Sequence, residues 1–146
     1  MSIDRIGEEE LIEETVKYLS QCPYLADAGI KVNYLEGKPT AFALRLKATS
    51  PVVKQYTDGG GVFEARFILA LRQEYSGADK YNRVAAKRCE DIERWIAQQN
   101  QAGNLPDLGQ EISPLSLTVA KSFDAKPSGS VDARFEAEIR LVYLKL

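Results

Sequence analysis

Residues 131–143 read VDARFEAEIRLVY, and the alternation along this stretch decides the fold. Val131, Ala133, Phe135, Ala137, Ile139, Leu141 and Tyr143 fall on one side of a two-residue period. Asp132, Arg134, Glu136, Glu138 and Arg140 fall on the other. A strand of this kind is half buried. Its apolar face needs a core, and its charged face needs water, facing opposite charges or another subunit.

Working outward, the same alternation recurs at Val62–Tyr75. There Phe63, Ala65, Phe67, Leu69 and Leu71 point inward and Glu64, Arg66, Arg72 and Glu74 outward. Fourteen such residues would span about 46 Å, long enough to project beyond neighbouring strands. A strand over Leu115–Phe123, with Leu115, Leu117, Val119 and Phe123 inward, joins the terminal strand through the turn residues Lys126-Pro127-Ser128-Gly129-Ser130. Upstream, Ile30–Leu35 and a strand carrying Phe42, Leu44 and Leu46 flank Glu36-Gly37-Lys38-Pro39 and read as a hairpin. Residues Thr49–Gly61 are less regular. The glycines at 59–61 mark them as an arm with more backbone freedom than a tight turn requires.

Two helices complete the pattern. In Asp4–Gln21, Ile12, Val16 and Leu19 form one stripe and Leu11, Thr15 and Tyr18 the next. Its early glutamates, Glu8, Glu9, Glu10, Glu13 and Glu14, suit the positive end of the helix dipole and read as a solvated face, and Pro23 marks its end. Asp79–Asn100 carries Val84, Ala85, Cys89, Ile92 and Ile96 on an inner stripe flanked by Trp95, with Lys87, Arg88, Glu90 and Glu93 facing away. Asn100, Gly103 and Pro106 stop it. The expected fold is α+β: an antiparallel or mixed sheet of four to five strands with two helices packed on one face.

The 146 residues suffice for a single domain spanning 1–146, with one core that needs no staples. No apolar run approaches the roughly 20 residues of a membrane span. An acidic opening replaces the basic cluster of a secretory signal, which points to the cytoplasm. With 19 basic and 21 acidic residues the net charge is −2, so no global positive field gathers nucleic acid, and sequence-specific binding to it is not expected. Cys22 and Cys89 sit at apolar helical positions and read as reduced core thiols.

The chain contains no histidine, which removes the commonest general base and the usual zinc ligand. No CxxC, GxSxG or phosphate-cradling glycine motif is present, so no catalytic, metal or cofactor residues are expected and the chain does not read as an enzyme. The carboxylates of the terminal strand interleave with arginines at matching spacing, as cross-strand ion pairs require. Tyr56, in the arm from Lys54 through Asp58 to Gly61, reads either as loop packing or as a partner anchor.

Four stretches, YLSQCPYLADAGIKVNYLEGKP, VVKQYTDGG leading into FEARFILALRQEY, WIAQQNQAGNLPDLG and ARFEAEIRLVY, together resemble small tail-morphogenesis proteins of Firmicutes prophages. The likeness, from about Tyr18 to Tyr143, is to phage tail terminators, also described as tail completion or minor capsid-type proteins. The first helix extends several residues further, and Lys121–Ser130 is poorer in aromatics. The resemblance implies a hexameric ring of α+β subunits that ends tail-tube polymerisation and joins the tail to the head. Its partners would be copies of itself, the tail-tube protein and the head connector. It would act in the bacterial host cytoplasm during assembly and then in the virion tail.

A ring requires two different complementary patches on each subunit. The candidate residues are Glu64, Arg66, Arg72 and Glu74, then Arg134, Glu136, Glu138 and Arg140, which would supply one patch or line the lumen, with Lys54, Tyr56 and Asp58 of the arm facing the tube. Some proteins of this kind carry an antibiotic-resistance name. Acetyl transfer to chloramphenicol resembles chemistry run by a histidine base, which this chain lacks. The alternatives are another head-tail connector, a tail-tube-like subunit, or a small-molecule-binding module or enzyme with a concave site.

Overall fold

The computed structural model describes residues 7–25, 30–32, 41–55, 60–74, 79–127 and 132–145. In chain order these form α1 (Glu8–Leu19), β1 (Ile30–Val32), β2 (Ala41–Gln55), β3 (Gly61–Glu74), α2 (Asp79–Ala102), β4 (Ile112–Pro127) and β5 (Asp132–Lys145). The fold is α+β. Four antiparallel strands and the short β1, which runs parallel to β2, make one sheet of order β1-β2-β3-β5-β4.

The centre of the sheet is the β3–β5 ladder. It runs without a slip from Gly61↔Lys145 to Glu74↔Asp132, so β3 is matched along its whole length and does not project. Because the register holds, side chains of equal parity meet on one face: Phe67 lies across from Ile139, Leu69 from Ala137, and Phe63 stacks on Tyr143 with ring centroids 5.9 Å apart. Phe42 and Leu44 of β2 and Leu117 of β4 extend this buried face.

Both helices cover the same face. α1 contributes Leu11, Ile12, Tyr18 and Leu19 on the β2 side, and α2 contributes Cys89, Ile92 and Ile96 on the β4 side. The rings of Tyr18 and Trp95, 5.5 Å apart, join them. Thr15 is fully buried and satisfies its hydroxyl by donating to the Leu11 carbonyl at 2.7 Å. α2 ends at Gly103, whose φ of 76° lies in the left-handed region. The Asn104 N–H donates to the Gln99 carbonyl at 2.9 Å and the Gly103 N–H to the Asn100 carbonyl at 3.2 Å, which closes a Schellman motif.

Several local expectations are corrected. β1 pairs in parallel with Phe42–Leu44, so it is not the hairpin partner of β2; that partner is β3. Residues 49–55 are not an irregular arm but the second half of β2, and Pro51 is accommodated beside a register shift. Leu115 does not point inward: the slip between Pro114 and Ser116 leaves it as the extra residue, 49% exposed.

Glu93 does not face away either. It reaches a second irregularity of β4, accepting from the Ser122 hydroxyl at 2.9 Å and from the Phe123 N–H at 3.2 Å. Two helical turns on, Asn100 Oδ1 accepts the Leu117 N–H at 3.0 Å. α2 thus fastens β4 through side chains as well as apolar packing.

Phe67→Ala removes a fully buried ring from the central strand. It should cost about 3–5 kcal/mol in urea denaturation, whereas Leu115→Ala should stay within about 0.5 kcal/mol. Gly103→Ala meets no atom within 4 Å yet forces a left-handed φ on a Cβ-bearing residue, and should lower stability by about 1 kcal/mol in the same assay.

Candidate functional site on the outer face of the sheet

The parity that buries one face puts Glu64, Arg66 and Arg72 of β3 beside Arg134, Glu136, Glu138 and Arg140 of β5 on the other. Arginines lie directly across from each other twice, Arg66↔Arg140 and Arg72↔Arg134, an arrangement that repels unless carboxylates intervene. They do. Glu64 accepts from Arg66 Nε at 3.2 Å and from Arg140 Nε, and Glu138 accepts from Arg66 Nη1 at 2.6 Å and from Lys47 Nζ at 2.7 Å. The result is one alternating chain, Lys47–Glu138–Arg66–Glu64–Arg140, crossing β2, β3 and β5.

Lys47 was not among the residues singled out from the sequence. It enters because the register slips between Leu46↔Phe67 and Ala48↔Arg66, which leaves Lys47 as the extra residue of β2, free to reach Glu138. A lysine following the inward Leu46 was the only available signal, and nothing local shows the slip.

Glu138 is only 3% exposed, although it lies on the face turned from the helices. Its hydrogen bond from Lys47, then that from Arg66, holds its carboxyl below the usual carboxylate range against the opposing effect of burial. The Arg140 hydrogen bond does the same for Glu64, with Arg66 adding to it. The Arg66 guanidinium is in turn held more firmly protonated, first by Glu138 and then by Glu64. Lys47 remains 46% exposed, so what the buried carboxylate presents to solvent is its cations. Arg134 and Glu136 form a further ion pair at 2.8 Å. Beside the network lies a groove of about 300 Å³ lined by Lys47, Ile68, Lys121, Asp124, Glu136 and Glu138.

The structure therefore brings together Glu64, Arg66, Glu138 and Arg140 as one network, with Arg72, Arg134 and Glu136 on the same face. Lys54 and Glu74 belong to β2 and β3, but their side chains lie outside what is described, as do residues Tyr56 and Asp58 entirely. Cys22 and Cys89 are buried free thiols, and burial pushes Cys89 up to about 12. The Tyr18 hydroxyl, also pushed up to about 12 by burial, finds no hydrogen-bond partner among the described residues. Among the described residues no helix is long and apolar enough to cross a membrane. No protein-family model matches the sequence, and comparison with curated proteins finds no relative.

The network makes a pH prediction. Folded Glu64 and Glu138 titrate below their ordinary value of about 4.5, so their stabilisation is complete above that pH and is lost as pH falls through their depressed values. Glu138→Gln should lower stability by about 1–2 kcal/mol at neutral pH, and its stability should converge on that of the parent as the pH is lowered far enough to protonate Glu138. Parallel curves at every pH would contradict this.

Proposed function

We propose that this chain is a structural subunit of phage tail assembly, a tail terminator whose ring ends polymerisation of the tail tube and joins the tail to the head. The observation that carries the reading is the near whole-chain sequence resemblance, from about Tyr18 to Tyr143. The architecture supports it. A sheet packed on one side by α1 and α2 leaves its other side as a broad mixed-sign surface, whose polar groups are ordered by the Lys47–Arg140 network. Such a face suits docking, because pre-ordered side chains lose little freedom on contact and opposed charges fix register and partner choice.

In this reading the homo-oligomer is a hexamer, and the partners are the tube protein below and the head connector above. The protein acts in the cytoplasm of the bacterial host and then in the virion tail, with no catalytic step of its own. A connector or tube-like subunit is the competing assignment, and binding behaviour separates them. Negative-stain imaging of the purified protein should reveal rings, and adding tube protein should give tubes capped at one end with no further growth. A strict monomer at high concentration and low salt, with uncapped tubes growing on in its presence, would overturn the assignment.

A further inference from the structure

Charge is divided between the two sides of this molecule. α1 turns Leu11, Ile12, Thr15 and Leu19 into the core and leaves Glu9, Glu10 and Glu13 exposed, while Glu14 pairs with Lys17 at 3.1 Å. On the opposite side, the network of the outer sheet face holds three cations against two carboxylates. Arg45, which faces the same way across from Ile68, is exposed and adds to that excess. Glu136 offsets Arg134 there, and Asp124 offsets Lys121. α2 mixes its signs, with Lys87 and Arg94 on Asp91 and Arg83 exposed, so among the described residues it is the α1 side that is acidic and the outer sheet face that is basic, in a chain whose net charge is only −2.

The acidic side also has a shape. A notch of about 250 Å³ opens between α1 and the connector from α2 to β4, lined by Glu10, Glu14, Asp107, Leu108 and Gly109. The connector wall is fixed by a turn in which Asp107 Oδ1 accepts the Gly109 N–H at 3.1 Å, with Gly109 at a φ of 96°. Carboxylates from two separate elements converge there around one apolar side chain. This is the lining that a guanidinium with its aliphatic stem requires, since the planar fork bonds carboxylates in pairs and the stem packs on carbon.

We propose that the acidic side of α1 in one copy of this chain receives the basic outer sheet face of a second copy, with Arg45 of the second copy entering the notch between Glu10, Glu14 and Asp107. The contact deepens the ring assignment and rests on it: it identifies which two patches meet between neighbours. The patches differ and lie on opposite sides of the fold, so the contact is head to tail and repeats in one direction. Closure into a ring is set by the angle between the two sides. Both surfaces remain exposed at the rim, where screening acts, so assembly held by this contact weakens with salt.

Sedimentation velocity on the full chain at about 20 mM and about 500 mM salt tests the contact, using the parent, Glu10→Lys and Arg45→Glu. Assembly of the parent should weaken at high salt, and each variant alone should lose at least about tenfold in association at low salt. An equimolar mixture of the two variants should reassemble, because it holds one parental and one sign-swapped contact. Rings that persist at high salt and in both variants would overturn this contact and leave the ring assignment standing. A mixture that stays dissociated would overturn it as well, and a strict monomer under every condition would remove contact and ring together.

Discussion

The structure depends on the unbroken pairing of β3 with β5. Fourteen residues of each strand stay in register, so every inward position on one strand meets an inward position on the other. A slip of β5 by a single residue against β3 would carry Glu138 and Arg140 into the core and expel Ile139 and Leu141, while Phe67 stayed inward without its partners. Two energies hold that register: apolar burial on the helix side and, on the other side, a charge network whose hydrogen bonds form only in this alignment. Glu138 joins them. Its near-complete burial makes a misaligned ladder costly, because the carboxylate would then lack the two cations that compensate its desolvation.

The helices and the irregular strands are arranged around that pair. α1 lies over β2 and α2 over β4, so the two strands outside the central ladder each have a helix of their own. The slips occur in these strands, at Leu46/Ala48 and Pro51/Lys54 of β2 and at three places in β4, while β3 and β5 keep step with each other. One β4 irregularity is fastened by Glu93 from the helix above. Bulges twist and bend a strand, which lets a sheet curve beneath helices while its centre stays in step.

How much of this was legible in the sequence follows from the range over which each feature is encoded. Two-residue alternation is local, and it gave β3, β5, the buried face and the common face of Glu64, Arg66, Glu138 and Arg140. The helical stripes of α1 and α2 and the stop at Gly103 are local too. The slips are not: whether Lys47 or Leu115 is the extra residue depends on which partner residues β3 and β5 present, so no window of β2 or β4 alone contains the answer. The parallel pairing of β1 is likewise a matter of connection between elements, and adjacent short strands favour the hairpin reading by default. The helical angle of Glu93 points it to solvent, yet a long side chain can reach back to unpaired N–H groups on a neighbouring strand edge.

Those same edge features bear on how copies can meet. Along β4, the Leu117 and Phe123 N–H groups are taken by Asn100 and Glu93, and Pro114 has no N–H to offer. On the β2 side, β1 covers Phe42–Leu44, and the strand beyond carries two slips and Pro51. Each device discourages the addition of a foreign strand. Described edge strands blunted in this way, beside a basic outer sheet face and an acidic α1 side, suit association through faces. Energetics favour such a contact between opposite signs, since covering Arg45 with carboxylates replaces water with partners, whereas covering it with an apolar surface would strand the charge. The half-buried network lowers the remaining cost. Arg66 and Arg140 already bond Glu64, and Lys47 already bonds Glu138, so an approaching surface meets cations whose positions are set before it arrives.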